Sequence, residues 1–134
     1  MYWRKSGMDA RKTPQELSGI IDEVRSIPGV SVCAFISKTG TPLASYFPGN
    51  ESGNALLSLV GVMCATVISS AEGVASIVDV ASPHLIIARS TDATIVITSA
   101  GDAAYLIAIL KDENEEGIAT ERIHAIAERI GSVI

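Results

Sequence analysis

The chain has 134 residues, enough for one domain with a real core and too few for two comfortable ones. Its net charge of −5 and pI near 4.9, with no basic cluster after Arg11-Lys12 and few aromatics, exclude a nonspecific nucleic-acid binder, which depends on Lys and Arg neutralising phosphates. Hydrophobic content of 48% beside 19% charged residues is greasy for a soluble monomer and favours an oligomer that hides part of its exterior.

Residues 1–12 are polar and unpatterned and read as a flexible N-terminal arm ahead of one domain over residues 13–134. Thr13-Pro-Gln-Glu16 is a capping box with proline at the first helical position: the Thr13 hydroxyl accepts from the Glu16 N–H while the Glu16 carboxylate reaches back. The helix that follows places Leu17, Ile20, Ile21, Val24 and Ile27 on one face and ends at Pro28-Gly29. Val30 to Ser37 reads as a strand with little alternation, hence covered on both faces. Lys38 to Thr41 is a turn in which Gly40 can take positive φ. Pro42 to Phe47 is a second strand whose leading proline suits a sheet edge.

Ser52 to Ala71 carries no charge and reads as a helix that is apolar around far more than half its circumference. Leu56, Val60, Met63, Cys64, Val67, Ala71 and Val74 form a stripe at helical spacing, widened by Leu57 and Ile68, and this stripe is expected to face the core. The opposite side carries Ser58, Gly61, Val62, Ala65 and Ser69, small and charge-free. A surface helix of a small domain needs one apolar stripe of roughly 100°. A helix apolar beyond that is covered twice, by its own core and by a partner. Its length would also cross a bilayer, but its Ser, Thr and Asn content and the flanking Glu51 and Glu72 favour a covering helix without membrane insertion. Val74, Ile77, Val78 and Ala81 keep helical spacing, whereas Val78 and Val80 around Asp79 also fit a strand; the helix is expected to run to about Val80, stopped by Pro83.

His84 to Ser90, Thr94 to Ser99 and Ala104 to Leu110 are three strands of an antiparallel meander, turning at Thr91-Asp92 and Ala100-Gly101-Asp102. The last is continuously apolar from Tyr105 and reads as a central strand. Lys111 to Gly117 is an acidic loop, and a final helix buries Ala119, Ile123, Ile126, Ala127 and Ile130. The order αββαβββα belongs to the α+β class: a single five-stranded antiparallel sheet with helices on both faces.

No signature of chemistry is present. There is no phosphate-cradling loop, so the chain is not itself a GTPase, and no serine sits in a nucleophile elbow. His84 and His124 lie far apart in the chain with no metal-ligand spacing around either, and the acidic run at 112–116 lacks a calcium pattern. No catalytic residue, cofactor or metal is expected, and no enzymatic activity. Cys33 and Cys64 sit inside apolar runs and read as buried, reduced thiols; with no secretory signal the chain reads as cytoplasmic. Arg89 stands out as a charge ending an apolar strand, an edge gatekeeper or one half of a cross-dimer ion pair.

This pattern resembles the roadblock/dynein light chain domain family. The matching features are the first helix ending in Ile27-Pro-Gly-Val30, the strand–turn–strand from Val32 to Ala44, the long small-residue-rich second helix, the run from Ala100 to Leu110, and Glu116-Gly-Ile-Ala before the last helix. The likeness runs from Thr13 to Ile130. It implies a roadblock/profilin-like fold and a dimer, with itself or with a paralogous roadblock protein. In such a dimer the edge strand, here His84 to Ser90, pairs with its copy, and the second helices pack antiparallel over it.

The resemblance further implies a non-catalytic regulator or scaffold that binds a Ras-like small GTPase. In a prokaryotic polarity system the family's dimer is a GTPase-activating protein that repositions the GTPase's own switch elements. On that reading Leu56, Val60, Met63 and Val67 hold the core, with Leu85 and Ile87 their neighbours on the strand and Arg89 at its end. Ser58, Val62, Ala65 and Ser69 then lie between the paired helices or face the GTPase. A structural adaptor in a larger complex would use the same dimer. A small-molecule sensor would need a pocket lined by aromatics and convergent polar groups, for which two Phe, three Tyr and one Trp are a thin supply.

Overall fold

The computed structural model of the protein describes residues 14–48, 53–111 and 116–131. The expected arm, the Thr13 side of the capping box and most of the acidic loop lie outside the described residues. Eight elements follow one another: α1 (Pro14–Arg25), β1 (Val30–Ser37), β2 (Pro42–Tyr46), α2 (Gly53–Ile77), β3 (Leu85–Arg89), β4 (Thr94–Ala100), β5 (Ala104–Leu110) and α3 (Glu116–Gly131). The strands form one antiparallel sheet in the order β2-β1-β5-β4-β3. β5 is the middle strand, as its unbroken apolar run demands, with Phe35 opposite Leu106 and Ile97 opposite Ile107. β2, opened by Pro42, and β3 are the edges.

Strand alternation divides the core into two layers. Cys33, Phe35, Val96, Leu106 and Leu110 project to one face and meet Leu17, Ile21 and Val24 of α1 and Ile123, Ala127 and Ile130 of α3. Ala34, Ile36, Ile97, Tyr105 and Ile107 project to the other and meet Leu57, Cys64 and Ile68 of α2. The surface pair between Arg129 of α3 and Glu23 of α1, at 2.6 Å and largely exposed, adds at most about 1 kcal/mol to this packing.

The face of α2 turned to the sheet is only partly the expected one: Cys64 and the widening residues Leu57 and Ile68 pack on it, but most of the stripe is turned away. Leu57, Gly61, Cys64, Ile68 and Ala75 are buried, whereas Leu56, Met63, Val67 and Val74 are 46–61% exposed and Val60 is half-buried. Leu85, expected beside α2, packs instead into the layer of α1 and α3, and Ile86 takes its place against α2. Size rather than apolarity decides the orientation. Gly61 lies directly on the backbone of Gly40 in the β1–β2 turn, where a Cβ on Gly61 would overlap the Gly40 carbonyl. Gly40 itself takes φ +97° there, and the Ser37 N–H closes the turn on the Thr41 carbonyl at 2.8 Å. Only the glycine-bearing face of α2 can approach so closely.

The helix also ends earlier than expected, at Ile77 rather than about Val80, with neither helix nor strand at 78–80. Asp79 adopts a left-handed φ of +61°; its N–H bonds the Ser76 carbonyl at 3.3 Å, and the Val80 N–H bonds the Ala75 carbonyl at 2.9 Å. These paired bonds are a Schellman cap, with aspartate where glycine is usual. Gly73 does not interrupt the helix.

Candidate functional site

α2 is long and apolar enough to cross a membrane by length and composition, yet one face is committed to the sheet. Along its free side Leu56, Leu59, Met63, Val67, Val74 and Ile77 recur at helical spacing, all exposed, Ile77 by 85%. Between this flank and the sheet runs a groove of about 220 Å³ whose walls are Val60 and Met63 of α2, Val32 of β1, Ile95 of β4, and Ile107 and Ile109 of β5. Among the described residues no polar side chain lines it. Ile95, 38% exposed, pairs in register with Ala88 of edge strand β3. Helix flank and groove are thus apolar side by side, and Ile95 links the groove to edge strand β3.

The residues expected at the site fall into three groups. Leu56, Val60, Met63 and Val67 lie along the groove flank. Ser58, Val62, Ala65 and Ser69 occupy the other flank of α2, all exposed except half-buried Ala65. Leu85, Ile87 and Arg89 lie on β3, Leu85 and Ile87 half-buried and Arg89 opposite Thr94. Leu59 and Ile95 are not among the expected residues. Leu59 shares the 56–63–67 spacing and is legible in that repeat, whereas Ile95 reaches the surface only because α2 leaves that end of β4 uncovered.

The thiols are chemically quiet. Burial pushes Cys33 from 9.0 up to about 12, partly offset by the nearby Arg25 charge, and its Sγ lies 3.9 Å from the Ile21 carbonyl. Burial also raises Cys64 at the floor of the groove. Because Cys33 stays protonated in the fold but ionises in the unfolded chain, its contribution is fully present below pH 9 and fades as pH rises towards 12. Cys33→Ala is therefore expected to show a shallower loss of stability than wild type between these limits, by at most about 1.4 kcal/mol per pH unit, in urea titrations run at stepped pH.

The two histidines, far apart in the chain, are brought together. Their rings stack with centroids 5.4 Å apart, His84 just ahead of β3 and His124 on α3. His124 Nδ1 lies 2.9 Å from Thr98 Oγ1, and its Nε2 lies 3.5 Å from Glu128 Oε2. Among the described residues no group of three His, Cys, Asp or Glu side chains is placed to hold a metal ion.

A model of the Roadblock/LC7 domain matches residues 18–111 of the chain. No curated protein sequence matches it. Among solved structures it is similar to MglB of Myxococcus xanthus, with a TM-score of 0.76 at 14% identity over 87% of this chain and 93% of that one. It is also similar to the gliding protein MglB of Thermus thermophilus, with a TM-score of 0.71 at 15% identity over 90% and 93%. Schizosaccharomyces pombe profilin shares the fold more loosely, with a TM-score of 0.64 at 14% identity over 87% and 98%.

Proposed function

The chain belongs to the Roadblock/LC7 domain family, and from that membership we propose that it is a dimeric, non-catalytic platform for a Ras-like small GTPase. The observation that carries the reading is the apolar flank of α2 beside an open edge strand. A second copy related by a two-fold axis covers both at once: β3 meets its counterpart along the free edge, and the flank from Leu56 to Val74 lies against the partner's. A wholly apolar groove suits aliphatic side chains of a partner better than a small polar ligand, which would need convergent hydrogen-bonding groups. This weighs against the sensor reading.

The other flank of α2 then stays open in the dimer. Ser58, Val62, Ala65 and Ser69 present a low surface on which a GTPase's switch segments rest, without supplying a catalytic group of their own. Ala65→Glu is expected to weaken GTPase binding about tenfold or more while leaving the dimer intact, as read by titration calorimetry and sedimentation.

The test of the function is retention of a Ras-sized protein from the source organism's lysate on the immobilised chain. Retention with non-hydrolysable GTP but not with GDP supports the platform. Retention of large assembly subunits regardless of nucleotide favours the adaptor, and retention of nothing in either state contradicts the GTPase reading.

A further inference from the structure

We propose that the cup between α3, the β4–β5 turn and the head of β3 receives Arg89 of a second copy. Each chain then closes the other's cup with a guanidinium. This rests on the dimer proposed above, and not on the GTPase. The cup has a volume of about 280 Å³, is open to solvent, and is lined by His84, Ser99, Gly101, Asp102, His124 and Glu128. Its lining carries two exposed carboxylates, Asp102 and Glu128, and neither Lys nor Arg. The floor is firmly held. His124 Nδ1 lies 2.9 Å from the Oγ1 of Thr98, a residue 1% exposed, and the His84 ring stacks on that of His124. The Ser99 N–H donates to the His84 carbonyl at 3.0 Å, so edge strand β3 runs directly into the wall of the cup.

Symmetry brings Arg89 to this place. The Ser99–His84 bond commits the even-numbered residues of β3 to β4, which turns the N–H and C=O of Leu85, Ile87 and Arg89 to the outer edge. A two-fold axis pairs that edge antiparallel with its copy. Only the register centred on Ile87 pairs all of Leu85–Arg89, and it sets Arg89 of each chain opposite Leu85 of the other. Leu85 packs into the layer of α1 and α3, and strand alternation puts Arg89 on the same side. Opposed residues share a face with Cβ atoms about 5 Å apart, so the arginine rises on the α3 side beside Leu85. Beyond Leu85 lies Thr98, its partner in β4, bonded to His124. An arginine laid across Leu85 therefore ends at Glu128, whose Oε2 is 3.5 Å from His124 Nε2. The guanidinium fork suits that carboxylate, and the axis repeats the pair on the other side. A shifted register would set Arg89 opposite another residue, away from the cup, so the pair also fixes how the two sheets join.

Charge reversal tests the pairing. Sedimentation equilibrium on the full chain at low salt compares wild type, Arg89→Glu, Glu128→Arg and the double reversal, all at exposed positions. Each single reversal is expected to raise the dissociation constant about tenfold or more, because like charges then meet twice across the axis. The double reversal is expected to return it to within about threefold of wild type. A wild-type dimer that Glu128→Arg does not weaken, or a double reversal no tighter than Arg89→Glu alone, would overturn the pairing and leave the dimer standing. A wild-type chain that stayed at 14.0 kDa at every concentration would overturn both.

Discussion

Met63→Glu is expected to leave the fold intact and abolish self-association. The side chain is 60% exposed in the single chain, so a carboxylate there remains hydrated and costs folding little. In the proposed dimer it would be enclosed against an apolar groove that offers no cation and no donor stronger than the Cys64 thiol. Burying an uncompensated charge costs several kcal/mol, and two-fold symmetry imposes that cost twice. Each 1.4 kcal/mol is tenfold, so the dissociation constant is expected to rise on the order of a thousandfold or more. Sedimentation equilibrium would register this as a fall from twice the 14.0 kDa chain mass to 14.0 kDa, with the far-ultraviolet circular dichroism unchanged. A Met63→Glu protein that stayed paired would place the partner on another surface.

Gly61→Ala is expected to destabilise the protein, reversing the usual sign of this exchange in a helix. Replacing a mid-helix glycine by alanine ordinarily gains about 0.5–1 kcal/mol. At exposed Gly19 in α1 an added methyl meets nothing within 4 Å, and Gly19→Ala should show that gain. At Gly61 the methyl overlaps the Gly40 carbonyl, part of a backbone turn that cannot swing aside as a side chain could. The reciprocal contact is as tight: a Cβ on Gly40 would stand 2.7 Å from Val62 Cα, at a φ of +97° that disfavours any side chain. Overpacking of this kind costs about 1–3 kcal/mol. The net effect is a loss of roughly 1 kcal/mol, or about 3–6 °C in melting temperature. A Gly61→Ala protein as stable as Gly19→Ala would remove the account of why α2 chose its face.

The central and edge character of individual strands is legible because each announces its own environment. Val30–Ser37 and Ala104–Leu110 lack alternation and lie centrally, while Pro42 marks an edge. The facing of α2 is not legible from apolarity, since Leu56-Met63-Val67-Val74 is as hydrophobic as Leu57-Cys64-Ile68-Ala75. What separates the two faces is Gly61, and its significance depends on Gly40, 21 positions earlier, arriving beneath it. The end of α2 escapes a sequence reading for a local reason: Asp79 takes the left-handed cap position that a sequence reader assigns to glycine or asparagine. The histidine pair is hidden by topology, because only the pairing of β3 with β4, and α3 lying across β4, brings residues 84 and 124 together.

The central claim is that the apolar flank of α2, not its small-residue flank, meets a second copy. Single exposed cysteines test it directly, since native Cys33 and Cys64 are buried and resist ionisation. They would be introduced one at a time at Met63 and Val67 on one flank and at Val62 and Ser69 on the other, then mildly oxidised. The account predicts covalent chain pairs from the Met63→Cys or Val67→Cys protein and single chains from Val62→Cys and Ser69→Cys. Cross-linking at Val62 or Ser69, with none at Met63 or Val67, would contradict it.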